Sequence, residues 1–156
     1  MKRKWWENGF YHFFTGAVMF GKGKRWFSIG SVLVLVTAGL HTMGHFSSPP
    51  DDLKTKGLIF AMEQYHLALP MGMNPSAMDI QNSLSLTMTI LLVGLGLINL
   101  LMAQSANAKQ VRSLAGVSCI VCLALVVLYW HYAVFPPLVC FVVIVPCFAM
   151  GFLRAK

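Results

Sequence analysis

His41 and His45 stand at the i, i+4 spacing that puts two imidazoles on one face of a helix about one turn apart, as two ligands of one metal ion would sit. Glu63 and His66 form a Glu-x-x-His pair, the spacing by which metal sites in helical bundles draw a carboxylate and an imidazole from one helix. Brought together, His41, His45, Glu63 and His66 make a nitrogen and oxygen set suited to a divalent transition metal such as zinc, iron or copper. His131 and Asp79 are candidate additions, and Asp51 or Asp52 could supply a further carboxylate. Haem is a second candidate cofactor, because His41 or His45 facing His131 at matching depth would give bis-histidine ligation. Met62, Met71, Met73 and Met78 add thioethers that could bind copper, although filling packing gaps is their commoner use.

The same residues have a plainer explanation. Histidine and tyrosine are comfortable at the headgroup level of a bilayer, and His-x-x-x-His without Glu in its second position is not the zinc-protease pattern. A hydrogen-bonded polar cluster, or interfacial residues with no mutual contact, would produce the same sequence. Cys119 and Cys122 form a C-x-x-C pair, which is a redox centre only where a thiol of lowered pKa can be reached. Surrounded by Val, Ile and Leu, these two read as small buried apolar side chains, as do Cys140 and Cys147.

The elements that must position these residues follow from charge. The chain has 156 residues, 57% of them hydrophobic and 11% charged, against roughly a quarter charged in a soluble domain. Residues 26–50, 80–108 and 113–153 hold no Asp, Glu, Lys or Arg, and about 20 apolar residues suffice to span the hydrocarbon core as a helix. The third stretch is long enough for two crossings and is broken at Trp130–Pro137, where aromatic anchors meet prolines. The apolar runs are continuous rather than alternating, which excludes a barrel. The expectation is an all-α integral membrane protein, a single four-transmembrane-helix bundle over 1–156 with crossings near 26–46, 75–104, 113–132 and 136–153. Asn74 or Ser76 is suited to cap the second crossing, with Pro75 and Asp79 in its first turn.

Basic residues set the orientation. All of them except Lys54 and Lys56 fall at the termini or in the connection that holds Lys109 and Arg112, while every acid except Glu7 falls on the other side. The positive-inside rule places both termini in the cytoplasm, and a bacterial inner membrane is the expected location. That distribution explains the net charge of +7 without nucleic acid, and it makes membrane lipids a partner. The segment before residue 26, with Trp5, Trp6 and several Phe beside lysines, reads as an N-terminal interfacial amphipathic helix. On the outer face, Ser47–Asp52 is a turn signal, and a short helix is expected over 53–69, packed across the bundle mouth and ended by Pro70 and Gly72.

No Asp, Glu, Lys or Arg falls deep within a crossing, which disfavours ion pumps and proton-coupled carriers. Ser83, Ser85, Thr87, Thr89, Gly94 and Gly96 form a small polar stripe that permits close helix approach, and Asn99 and Gln104 read as interhelical glue. The layout, with a first crossing ending Leu40-His41-Thr42-Met43-Gly44-His45 and a second carrying Gly94-Leu95-Gly96-Leu97-Ile98-Asn99-Leu100, resembles small four-helix membrane proteins of bacteria. It lacks the outer C-x-x-C of vitamin K epoxide reductases and the Arg- and Glu-bearing helices of glutathione-using membrane enzymes. Three functions stay open. The chain is an accessory subunit of a membrane complex, or a lipid or small-ligand binder, working through its outer connection with a protein partner or a second copy. Alternatively it is a metal- or haem-dependent redox protein or enzyme, or a small transporter element.

Overall fold

The computed structural model describes residues 21–155. The expected N-terminal interfacial helix lies outside the described residues but for its last few positions. Five α-helices follow one another: α1 (Lys22–Phe46), α2 (Leu53–Gln64), α3 (Ala77–Ser105), α4 (Ala108–His131) and α5 (Phe135–Arg154). All but α2 are long and apolar enough to cross a membrane, and the described residues form no strand beyond one isolated bridge. The protein is therefore an all-α integral membrane protein.

Two compact units divide the chain, one of Met1–Val34 with Leu95–Lys156 and the other of Leu35–Gly94. The boundary falls inside α1 and α3, so each of these helices belongs in part to both.

Within the first unit, Phe27, Phe141, Phe148 and Ile144 are the largest fully buried side chains. Phe27 of α1 meets Phe148 of α5 with ring centroids 5.8 Å apart, and Tyr129 of α4 stacks on Phe141 at 5.9 Å. Backbones approach closely where side chains are smallest. A Cβ added at Gly151 would lie 3.3 Å from both Ala115 Cβ and the Phe27 backbone nitrogen, and one at Gly23 would fall 2.4 Å from the backbone nitrogen of Ala155. Small residues serve this purpose in a bilayer, where apolar side chains gain little from leaving lipid and tight packing must hold the helices together.

One polar fastening crosses this core. Asn99 on α3 donates from Nδ2 to Ser118 Oγ on α4 at 3.1 Å, with both side chains buried. The interhelical role expected of Asn99 is thus filled, whereas Gln104 is exposed. Cys122 and Cys147 are buried, Cys119 and Cys140 partly so, and all are free thiols. The Cys119 thiol donates to the Val145 carbonyl of α5 at 3.9 Å, a weak tie between neighbouring helices.

Several helix limits differ from those read in the sequence, each for a local reason. Helix α4 starts at Ala108, not 113, because Asn107 and Gln110 form a reciprocal capping box: Gln110 N donates to Asn107 Oδ1 and Asn107 N to Gln110 Oε1, both at 2.9 Å. Lys109 and Arg112 consequently ride on the helix instead of in a loop. Helix α3 is capped by Ser76, whose Oγ accepts from the Asp79 amide at 3.1 Å while Asp79 Oδ2 accepts from Ser76 N and Oγ at 3.0 and 2.7 Å. Pro75 therefore precedes the helix. Helix α4 ends as a Schellman motif, Val134 N to Tyr129 O at 2.9 Å and Ala133 N to Trp130 O at 3.2 Å. Ala133 takes the left-handed position, at φ 54, where glycine is usual.

Candidate functional site

The expected ligands His41, His45, Glu63 and His66 all belong to the unit Leu35–Gly94. Its elements are the end of α1, the 47–76 connection and the beginning of α3. Helix α2 is started by Asp52, whose Oδ1 accepts from the Thr55 amide at 2.9 Å and whose Oδ2 accepts from the Thr55 hydroxyl at 2.6 Å. Those two bonds hold the Asp52 carboxyl below its ordinary value of 3.8, the hydroxyl contributing most. Asp51 pairs with Lys56 on the surface.

The helix stops at Gln64 and does not continue to 69. Tyr65 is already extended, and the residue before Pro70 is pushed out of the helical region by the proline ring. Residues 65–69 instead turn back on 73–77. Leu69 N donates to Met73 O at 2.9 Å, Leu67 N to Pro75 O at 3.0 Å and Ala77 N to Tyr65 O at 2.8 Å. Met71 and Gly72, at φ 67 and 76, close the turn. His66 faces Ser76 across this pairing and its Nδ1 donates to the Asn74 carbonyl at 2.9 Å. The imidazole thereby fastens the turn.

His41 is half-buried, with Nε2 3.2 Å from both the hydroxyl and the carbonyl oxygen of Ser85 on α3. The carbonyl only accepts, whereas the hydroxyl also donates, so either tautomer of His41 finds a partner. Thr89 Oγ1 in turn donates to the Ser85 carbonyl at 3.4 Å. Ser85 lies two turns inside α3, where the backbone amides are committed to the helix, so no pair of donors flanks it to hold an oxyanion. The contact ties α1 to α3.

His45, one turn further along, is partly buried and meets the edge of Phe46 at a centroid distance of 4.9 Å. Glu63 is exposed on α2. Asp79 is held by Ser76 as a cap. His131 ends α4 in the other unit, exposed, edge-on to Tyr132 at 4.9 Å. The candidate ligands are thus taken up one by one in local bonds or left on the surface, and among the described residues no three of His, Cys, Asp and Glu are grouped to hold a metal ion.

The surface of α2 is the unusual feature of this unit. None of its residues is buried. Thr55, Ile59 and Met62, at i, i+4 and i+7, are partly covered, while Leu53 is 90% exposed, Phe60 64% and Leu58 62%. It does not close over the unit as a packed lid. Sequence reasoning missed Ser85 as the partner of His41 and Ser118 as the partner of Asn99. Both are serines inside helices facing a polar side chain that needs a bond, which is the signal that could have found them.

These features define the class: an all-α membrane protein with four apolar spans and a connection between the first two built of a short exposed helix and a pinned turn. No protein-family model, curated protein or solved structure matches the chain.

Proposed function

We propose that the protein is a non-catalytic component of a bacterial inner membrane, an accessory subunit that meets its partner through the 47–76 connection. The supporting observation is α2, which leaves Leu53, Leu58 and Phe60 exposed beside a charged rim of Asp51, Asp52, Lys54 and Lys56. An apolar centre with a polar rim is the anatomy of a contact surface. The positive-inside rule puts this connection on the outer face and both termini in the cytoplasm.

The pinned turn strengthens the reading. The bonds across 65–77 and the Asp52 cap give a connection between two spans a fixed shape, which lowers the ordering cost of binding. A photo-crosslinking residue at Phe60, in the intact membrane, is expected to give one discrete protein adduct, while the same residue at Ile120, an exposed position on a span, gives lipid adducts only. Lipid adducts alone at both positions would overturn the subunit reading in favour of a lipid binder. Stoichiometric metal, or a haem band in the purified protein, would overturn it in favour of the redox reading on His41, His45, Glu63 and His66.

A further inference from the structure

In the first unit, the beginning of α1, the beginning of α4 and the end of α5 meet at a partly open cleft of about 150 Å³, lined by Gly21, Gly23, Lys24, Ala108, Arg154 and Ala155. We propose that this cleft binds the phosphate of an anionic phospholipid headgroup.

Four features of the cleft converge on an anion. Two of its six lining residues, Lys24 and Arg154, are cationic. The beginnings of α1 and α4 bring the positive ends of two helix dipoles to the cleft, although the Gln110 amide of α4 is already held by Asn107 and the carbonyl end of α5 opposes them in part. Gly21 carries no side chain to fill the space, and Gly23 lets the start of α1 close against the backbone of Ala155 that forms the opposite wall. Among the described residues the surrounding side-chain charge has one sign. Lys22, Lys24, Arg25, Lys109, Arg112 and Arg154 all belong to this unit, whereas among the described residues every carboxylate side chain belongs to the other.

Size and position narrow the anion further. Pockets for drug-sized ligands run from roughly 300 to 1,000 Å³, so this cleft admits a phosphate group and not a whole organic ligand. It lies at the ends of three helices of membrane-spanning length, the level at which lipid phosphates sit. The spans that run from these ends expose apolar side chains, among them Ile29 on α1 and Leu153 on α5, as surface for an acyl chain. A lipid satisfies both parts of this surface, and a free phosphate only the first.

Native mass spectrometry of the full chain, released from vesicles of phosphatidylcholine with phosphatidylglycerol, tests the proposal. The wild type should retain phosphatidylglycerol over phosphatidylcholine. Lys24→Gln with Arg154→Gln should reduce that retention by about tenfold or more. Lys54→Gln with Lys56→Gln removes the same charge from the other unit and should leave retention unchanged. Equal losses in both double variants, or none in the first, would overturn the site. Displacement of the lipid by millimolar inorganic phosphate would overturn the lipid assignment in favour of a soluble anion. Should the first double variant lose helical content, the single substitutions Lys24→Gln and Arg154→Lys carry the test, the former losing retention and the latter keeping most of it.

Discussion

Replacing Gly23 by alanine adds one methyl group, and the structure states what it would meet. The new Cβ would fall 2.4 Å from the backbone nitrogen of Ala155, 2.5 Å from its Cα and 2.8 Å from the Arg154 carbonyl carbon. Ordinary contact begins near 3.4 Å, so the start of α1 and the end of α5 must part by about 1 Å, and backbone has no rotamer by which to yield. Overpacking of this kind costs about 3 kcal/mol at the upper end of its usual range. Alanine's better helix propensity offsets about 1 kcal/mol of that, leaving a net loss of about 2 kcal/mol. Gly94→Ala is the control, because a Cβ there meets nothing within 4 Å, and it should gain up to about 1 kcal/mol through propensity alone. Reversible unfolding in mixed detergent micelles, followed by far-UV circular dichroism, compares the two. Equal stability of the Gly23→Ala and Gly94→Ala variants would refute the packing argument.

Three further outcomes are expected. In a double-mutant cycle of Asn99→Ala and Ser118→Ala, the same unfolding assay should give a coupling of about 0.6 to 1.7 kcal/mol, and zero coupling would show that the buried bond contributes nothing. Ala133→Gly should stabilise the protein by about 1 kcal/mol, because glycine relieves the left-handed position that ends α4; a loss would mean that the Schellman turn is not as described. The Asp52 cap should depend on pH in one direction. Its carboxyl is held below 3.8 in the fold, so its support of α2 is complete above that value and is lost as pH falls through the lower folded one. Hydrogen exchange at the Thr55 amide should therefore accelerate below about pH 4 relative to its intrinsic rate, and unchanged protection down to pH 2 would contradict it.

The spans were legible because their cause is written in composition: uncharged runs of sufficient length have no other solvent. The break near Trp130–Pro137 was legible for the same reason, though nothing in the sequence marks Ala133 for a conformation that glycine usually takes. Helix ends were less legible where local bonds decided them. Charge at Lys109 and Arg112 suggested a loop, but the Asn107 and Gln110 cap carries the helix beneath them. The end of α2 was misplaced because Tyr65–Leu69 has apolar spacing that suits a helix, while the pairing with Met73–Ala77 is a contact that spacing does not reveal. The histidines show the limit most clearly. The i, i+4 spacing puts His41 and His45 on one face, but which partner each meets depends on α3 and on the turn. His41 found Ser85 and His66 found Asn74. Gly94, read as a site of close helix approach, faces open space, and the close approach falls at Gly23 and Gly151 instead.

Topology tests the membrane account most directly, since four crossings require residues 54 and 156 to lie on opposite sides. A reporter active only in the cytoplasm, fused after Lys156, is expected to be active, and the same reporter inserted beside Lys54 is expected to be silent. Activity at Lys54, or silence at Lys156, would contradict the orientation and with it the outer position of the 47–76 connection.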